Sequence, residues 1–212
     1  MEGATVLYIH GMGGGGDSRI PSILRERIAA STGIKIIVRT YDFEPETAAA
    51  QIRGWVDELR PSLIIGESLG AVQAMRITGL PHIFVSPSLG GPLYLGYLSF
   101  ITFIPGVTAL LDRIYRPREG DRQPLHFSFR NLRGYLEHRR KALENSPLNG
   151  SKDSFFAFFG TKDHYRRSGV VSIRMYRKYF GDGYEIYDGT HFMEEEYVEK
   201  MLIPKIMETL LR

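Results

Sequence analysis

Short runs of aliphatic, β-branched and aromatic residues alternate with longer stretches of helical periodicity along most of the chain. The runs Val6–His10, Ile34–Tyr41, Leu63–Gly66, Ile83–Ser86, Phe155–Gly160 and Tyr184–Tyr187 are apolar at nearly every position rather than at alternate ones. A strand apolar on both faces is buried on both, which points to a parallel sheet covered by helices. Between the runs, the pattern predicts helices over about Ile20–Ser31, Pro45–Leu59, Leu69–Thr78 and Val170–Phe180, and a last one after Glu194. The fold class expected is α/β, an open, mostly parallel sheet with helices on both faces.

The alternation breaks once. Ser88 to Lys152 holds no evident strand and is too long for a plain connection. It opens apolar, LYLGYLSFITFIPGVTALL, and then turns basic, with nine Lys or Arg against four Asp or Glu from Asp112 to Lys141. We expect one domain over 1–212 with a partly helical lid insertion at about 89–152 over the site; a solvated helical decoration is the alternative. Ile83 to Leu111 carries no charged residue and is long enough to span a bilayer. Pro87, Gly90, Gly91, Pro92, Gly96, Pro105 and Gly106 interrupt it, so a buried strand followed by an apolar loop or lid is expected instead of a membrane span.

Composition narrows the picture only a little. The 212 residues, 43% hydrophobic and 24% charged, describe one ordinary globular domain. A net charge of +3 with no aromatic-plus-basic motif gives no case for nucleic acid. The absence of cysteine excludes disulfides, thiolate catalysis and cysteine-ligated metal sites. The start MEGATVLYIHG has no basic n-region and too short an apolar run for a signal peptide, so a cytoplasmic protein is expected.

Two motifs carry candidate chemistry. In YIHGMGGGGDS, Gly11, Gly13 and Gly16 fit Gly-x-Gly-x-x-Gly, a dinucleotide fingerprint when a helix starts inside the turn and an acidic residue follows the second strand. Asp42 is a candidate for that acid. However, Asp17 or Ser18 reads as the N-cap and Pro21 as first turn, which starts the helix beyond all the glycines. The second motif, SLIIGESLGAVQAM, is Gly66-x-Ser68-x-Gly70 where a strand turns sharply into a helix. Such a turn lifts a serine Oγ above the sheet, and only glycine-sized residues at 66 and 70 let helix and strand pass closely.

A serine hydroxyl needs a base, and the base needs an orienting group. Asp163 follows the fifth run in FFAFFGTKDHY, and His191 follows the sixth in YEIYDGTHFMEEEY. Ser68, Asp163 and His191 stand in the order expected for this turn, each just past a strand end. Asp153, Asp182 and Asp188 either precede a strand or lie too near His191 in the chain. His10 and His164 are expected to be structural or at the rim of the site. His82, His126 and His138 have no metal-ligand spacing.

With these residues in place, the chain resembles the α/β-hydrolase-fold superfamily, in particular the small bacterial serine esterases and lipase-like hydrolases. The resemblance runs from His10 to the last helix and leaves Ser88–Lys152 aside. It implies a minimal core of about six strands in the order 2-1-3-4-5-6. It also implies that the loop begun by His10 and Gly11 helps form an oxyanion hole, with Met12 and Leu69 backbone N–H as the donors. The implied activity is cleavage of a small carboxylic ester through an acyl-enzyme by Ser68, His191 and Asp163, without metal or organic cofactor. A thioesterase or amidase using the same site, or a non-catalytic binding protein, is the alternative. Glu67 departs from the usual neutral residue or His before the nucleophile. It would either pair with a basic residue or raise the basicity of His191.

Overall fold

The computed structural model describes residues 3–29, 32–117 and 119–211. Six strands, β1 (Thr5–Ile9), β2 (Lys35–Val38), β3 (Leu63–Glu67), β4 (His82–Val85), β5 (Phe155–Gly160) and β6 (Tyr184–Tyr187), form one sheet. Every pairing is parallel and the order is β2-β1-β3-β4-β5-β6. Register is set by pairs such as Val6 with Ile36 and Leu63, and Phe84 with Gly66 and Ala157.

Alternate residues of each strand feed two cores, which is why the runs read as continuously apolar. On one face, Leu7, Ile9, Ile64, Phe84 and Phe159 pack against α2 (Pro45–Leu59), α3 (Leu69–Ala74), α6 (Phe129–Glu144) and α7 (Ile173–Phe180). On the other, Val6, Tyr8, Leu63, Ile65, Val85 and Phe158 meet α1 (Arg19–Leu24) and the C-terminal helix, which contributes Val198, Leu202 and Ile206. That last helix begins at Glu195, passes through a π-helical turn at Val198–Leu202 and ends as Ile203–Leu210.

Element ends differ from the sequence pattern where local chemistry intervenes. The first helix continues from α1 through a π-helical stretch to Ala29, and its expected last residues, Ala30 and Ser31, lie outside the described residues. The second strand leaves the sheet after Val38, and Tyr41 instead donates its hydroxyl to His10 O at 2.6 Å. The helix expected to reach Thr78 stops at Ala74, ahead of Gly79 with its φ of +83° and Pro81. Ser172 caps α7 through Met175 N–H, so the helix starts at Ile173 rather than Val170.

The stretch between β4 and β5 is helical and consists of two unlike pieces. The first is α4 (Gly91–Leu98), running into a 3-10 turn at Ser99–Phe103, then α5 (Val107–Ile114), which has no buried residue. The second, α6, buries Leu132, Tyr135, His138, Ala142 and Leu143, and is part of the body of the domain. Arg139 on α6 donates to Leu89 O at 2.7 Å and so ties this helix to the loop after β4. Among the described residues, no helix is long and apolar enough to cross a membrane.

Candidate active site

The C-terminal ends of the strands converge on one cluster. The turn between β3 and α3 places Ser68 at φ 52° and ψ −120°, a backbone conformation that a residue with a Cβ adopts only under strain. The turn is locked by close packing on both sides. A Cβ on Gly66 would lie 2.6 Å from Ala71 Cα, and one on Gly70 would lie 2.2 Å from His10 O. Neither could be accommodated, which explains both glycines of the motif.

The loops after β5 and β6 bring in the partners. Asp163 Oδ2 lies 2.8 Å from His191 Nδ1, and His191 Nε2 lies 2.9 Å from Ser68 Oγ. Ionised Asp163 can only accept, so Nδ1 carries the proton and Nε2 is free to receive the Ser68 hydroxyl. Asp163 and His191 are 3% and 2% exposed, so this polar chain runs through a nearly water-free setting. Tyr165 and Phe192 close over the imidazole, edge to face, at ring-centroid distances of 4.6 and 5.1 Å. The other aspartates are engaged elsewhere: Asp153 caps Gly79 N–H, Asp182 pairs with Arg177, and Asp188 pairs with Lys162.

The glycine loop serves a different purpose from the one its pattern suggests. Four consecutive N–H groups are used within the chain. Gly13 donates to Gln123 Oε1, Gly14 to Gly11 O, Gly15 to Ser18 Oγ and Gly16 to Asp121 Oδ2. A Cβ on Gly15 would fall 1.6 Å from Asp121 O, so Gly15 admits the 121–123 segment and not a ligand. Since α1 starts at Arg19, no helix begins within the glycines, and the dinucleotide geometry is not present. Met12 N–H is the exception. It makes no hydrogen bond among the described residues, and neither does Leu69 N–H, which lies at the first position of α3 with no intrahelical acceptor. Gly11, Met12, Ser68 and Leu69 line one cavity of about 210 Å³, together with Leu95, Val170 and His191.

Three of the remaining histidines, His10, His82 and His138, are buried. His10 stacks on Tyr41 at 4.4 Å, and burial lowers its pKa to about 4. His82 on β4 and His138 on α6 are buried, and burial lowers them to about 4 and about 3. His126 contacts Asp112, and the exposed His164 packs at a tilt on Tyr165. No three His, Asp or Glu side chains among the described residues are grouped so that they could hold a metal ion.

Three contributors escape sequence reasoning. Ser88, 3% exposed, places its Oγ 3.0 Å from Ser68 Oγ. Because the Ser68 proton is committed to His191, Ser88 is the donor in that contact. Gln123, 1% exposed, links Gly13 N–H to the carbonyls of Tyr41 and Asp42 and so fixes the loop that carries Met12. Tyr8 donates to Glu67 Oε2 at 2.7 Å, so Glu67 has a phenol as its partner and not a basic residue. Burial raises the pKa of Glu67, against the lowering effects of Tyr8 and of the nearby His191. The one available signal was position: Ser88 lies just past β4, where the other site residues lie just past their own strands.

No family model matches the sequence, and no curated protein matches it. Solved structures do match in shape. A thermophilic esterase from Thermogutta terrifontis, with malate bound, has a TM-score of 0.64 at 14% identity, over 99% of this chain and 91% of that one. Est1E from Butyrivibrio proteoclasticus, with ferulic acid bound, has a TM-score of 0.63 at 14% identity, over 99% and 90% of the two chains. The bottromycin epimerase in complex with bottromycin A2 has a TM-score of 0.51 at 12% identity, over 98% and 90%. Together with the strand order, these likenesses identify an α/β-hydrolase fold. Neighbours with different chemistry on one fold mean that function has to be argued from the site.

Proposed function

We propose that this α/β-hydrolase-fold protein is a serine hydrolase that cleaves small carboxylic esters through an acyl-enzyme. The observation supporting this most directly is the unbroken Asp163–His191–Ser68 chain, with contacts of 2.8 and 2.9 Å ending at a strained serine. In the proposed cycle, His191 Nε2 takes the Ser68 proton as Oγ attacks the ester carbonyl, and Asp163 stabilises the imidazolium. Met12 and Leu69 N–H receive the oxyanion; one such donor is worth roughly 3–4 kcal/mol in other serine hydrolases. His191 then returns the proton to the leaving alkoxide, and water resolves the acyl-enzyme by the same route in reverse.

The lining of the cavity limits the substrate. Leu69, Leu95, Val170 and Tyr94 surround a space of about 210 Å³ with little charge, which suits a short apolar acyl group. The test is steady-state hydrolysis of p-nitrophenyl acetate, butyrate and palmitate, with a thioester and an anilide of the preferred acyl group alongside. The short esters are expected to turn over, and Ser68→Ala is expected to lose more than about a thousandfold in kcat. Turnover that survives in Ser68→Ala would overturn the assignment.

A further inference from the structure

The piece of chain that carries α4 and α5 packs Leu95, Leu98 and Leu111 on the core yet leaves many large apolar side chains in solvent. Among the described residues, sixteen large hydrophobic side chains are exposed, and ten of them fall between Tyr94 and Phe129. Tyr97 is 75% exposed, Phe103 67%, Ile114 61% and Ile104 57%. In α5 the apolar residues are divided: Leu111 packs on the core, while Leu110 and Ile114 face solvent beside Ala109 and Arg113. The half-buried Thr108 and Asp112 bond to Phe127 O, and to Phe127 N–H and His126. A patch of this kind marks an interaction surface.

The charge around it indicates what covers it. Arg113, Arg116 and Arg133 are exposed and have no carboxylate partner among the described residues. Arg133 lies 5.4 Å from the Phe100 ring centroid, and Phe129 packs on Phe103 at 4.7 Å, so arginine and aromatic groups belong to one surface. No acidic residue occurs from Ile83 to Leu111, and Asp112, the acid of α5, is turned away. A second copy packed face to face would lay this cationic patch on another of the same sign. A surface with apolar depth and an anionic boundary suits both features.

We propose that the face formed by α4 and α5 docks on an anionic lipid surface. Tyr97, Phe103, Ile104 and Ile114 enter the acyl boundary, and Arg113, Arg116 and Arg133 meet the headgroup phosphates. Docking does not depend on the hydrolase reading. If that reading holds, Tyr94, at the mouth of the Ser68 cavity, carries this face to the site, so acyl groups would arrive from the bilayer.

The test is co-sedimentation of the full chain with phosphatidylcholine vesicles, with and without phosphatidylglycerol, at low and high salt. Binding is expected only with phosphatidylglycerol and is expected to weaken with salt. Phe103→Ser with Ile114→Ser should lower the partition coefficient at least about tenfold, and Arg113→Gln about fivefold. Leu148→Ser, an exposed apolar site (57%) away from the face, should leave it unchanged. Thermal melts confirm that each variant is folded. Equal or absent binding to the two vesicle types, or wild-type binding by the double serine variant, would overturn the proposal. So would a dimer in sedimentation velocity that the double variant dissociates, with no vesicle binding.

Discussion

At the scale of single residues, Ser68 stands in a conformation that stability alone would not select. Its φ of 52° with ψ −120° costs of order 1–3 kcal/mol for a residue with a Cβ. Ser68→Gly is therefore expected to raise the melting temperature by several degrees while abolishing turnover, and differential scanning calorimetry reads the gain. A lower melting temperature would mean that the serine contacts outweigh the strain. Glu67 makes a similar point about burial. Because its folded pKa is raised, its contribution to stability is lost as pH rises through that value. Glu67→Gln keeps an acceptor for Tyr8, and urea denaturation should show it gaining stability over wild type as pH rises above the usual carboxylate range. That Ser68, Asp163 and His191 come together could be read from the sequence, because each sits just past an apolar run. Ser88, Gln123 and Tyr8 could not, since their contacts join residues 20, 110 and 59 positions apart with no local motif to mark them.

At the scale of elements, the site depends on how closely α3 and the glycine loop approach. Gly70 allows the first turn of α3 to pass against the backbone of Ile9 and His10. Gly70→Ala puts a methyl group into backbone that cannot yield, and should destabilise by about 3 kcal/mol or more or prevent folding. Urea denaturation checks this, with Gly54→Ala, in open space on α2, as the comparison. Gln123→Leu leaves Gly13 N–H and two carbonyls without a side-chain partner. It should cost about 1–3 kcal/mol in stability and lower kcat more than it raises KM, because Met12 N–H loses its fixed position. The strands were legible because a doubly buried parallel strand must be apolar throughout. The purpose of the glycine loop was not, because spacing records where glycines stand and not which chain segment lies on them. Here that segment is residues 121–123.

At the scale of the whole molecule, three buried histidines make stability depend on pH. His10 and His82 have folded pKa values of about 4 and His138 about 3, against 6.5 when unfolded, with burial the largest cause in each. The unfolded chain therefore binds more protons below pH 6.5. The stability these groups contribute is full above that pH and is lost as pH falls toward 4. With all three titrating, the slope approaches about 4 kcal/mol per pH unit. Urea denaturation from pH 7 to pH 4 should show it, and His138→Gln should reduce the slope by about a third; an unchanged slope would remove His138 from the account. The sequence signalled the long stretch between β4 and β5 by length alone. Its division into a body helix and an exposed apolar face appears only when α6 is seen to bury Tyr135 and Leu132 while α5 has no fully buried residue.

The central claim is that Ser68 is an activated nucleophile, and covalent labelling tests it most directly. Intact-mass spectrometry after exposure to a fluorophosphonate should show one adduct on the wild type, none on Ser68→Ala, and much slower labelling of His191→Gln. A well-folded wild type that stays unlabelled, or an adduct that persists in Ser68→Ala, would contradict the account.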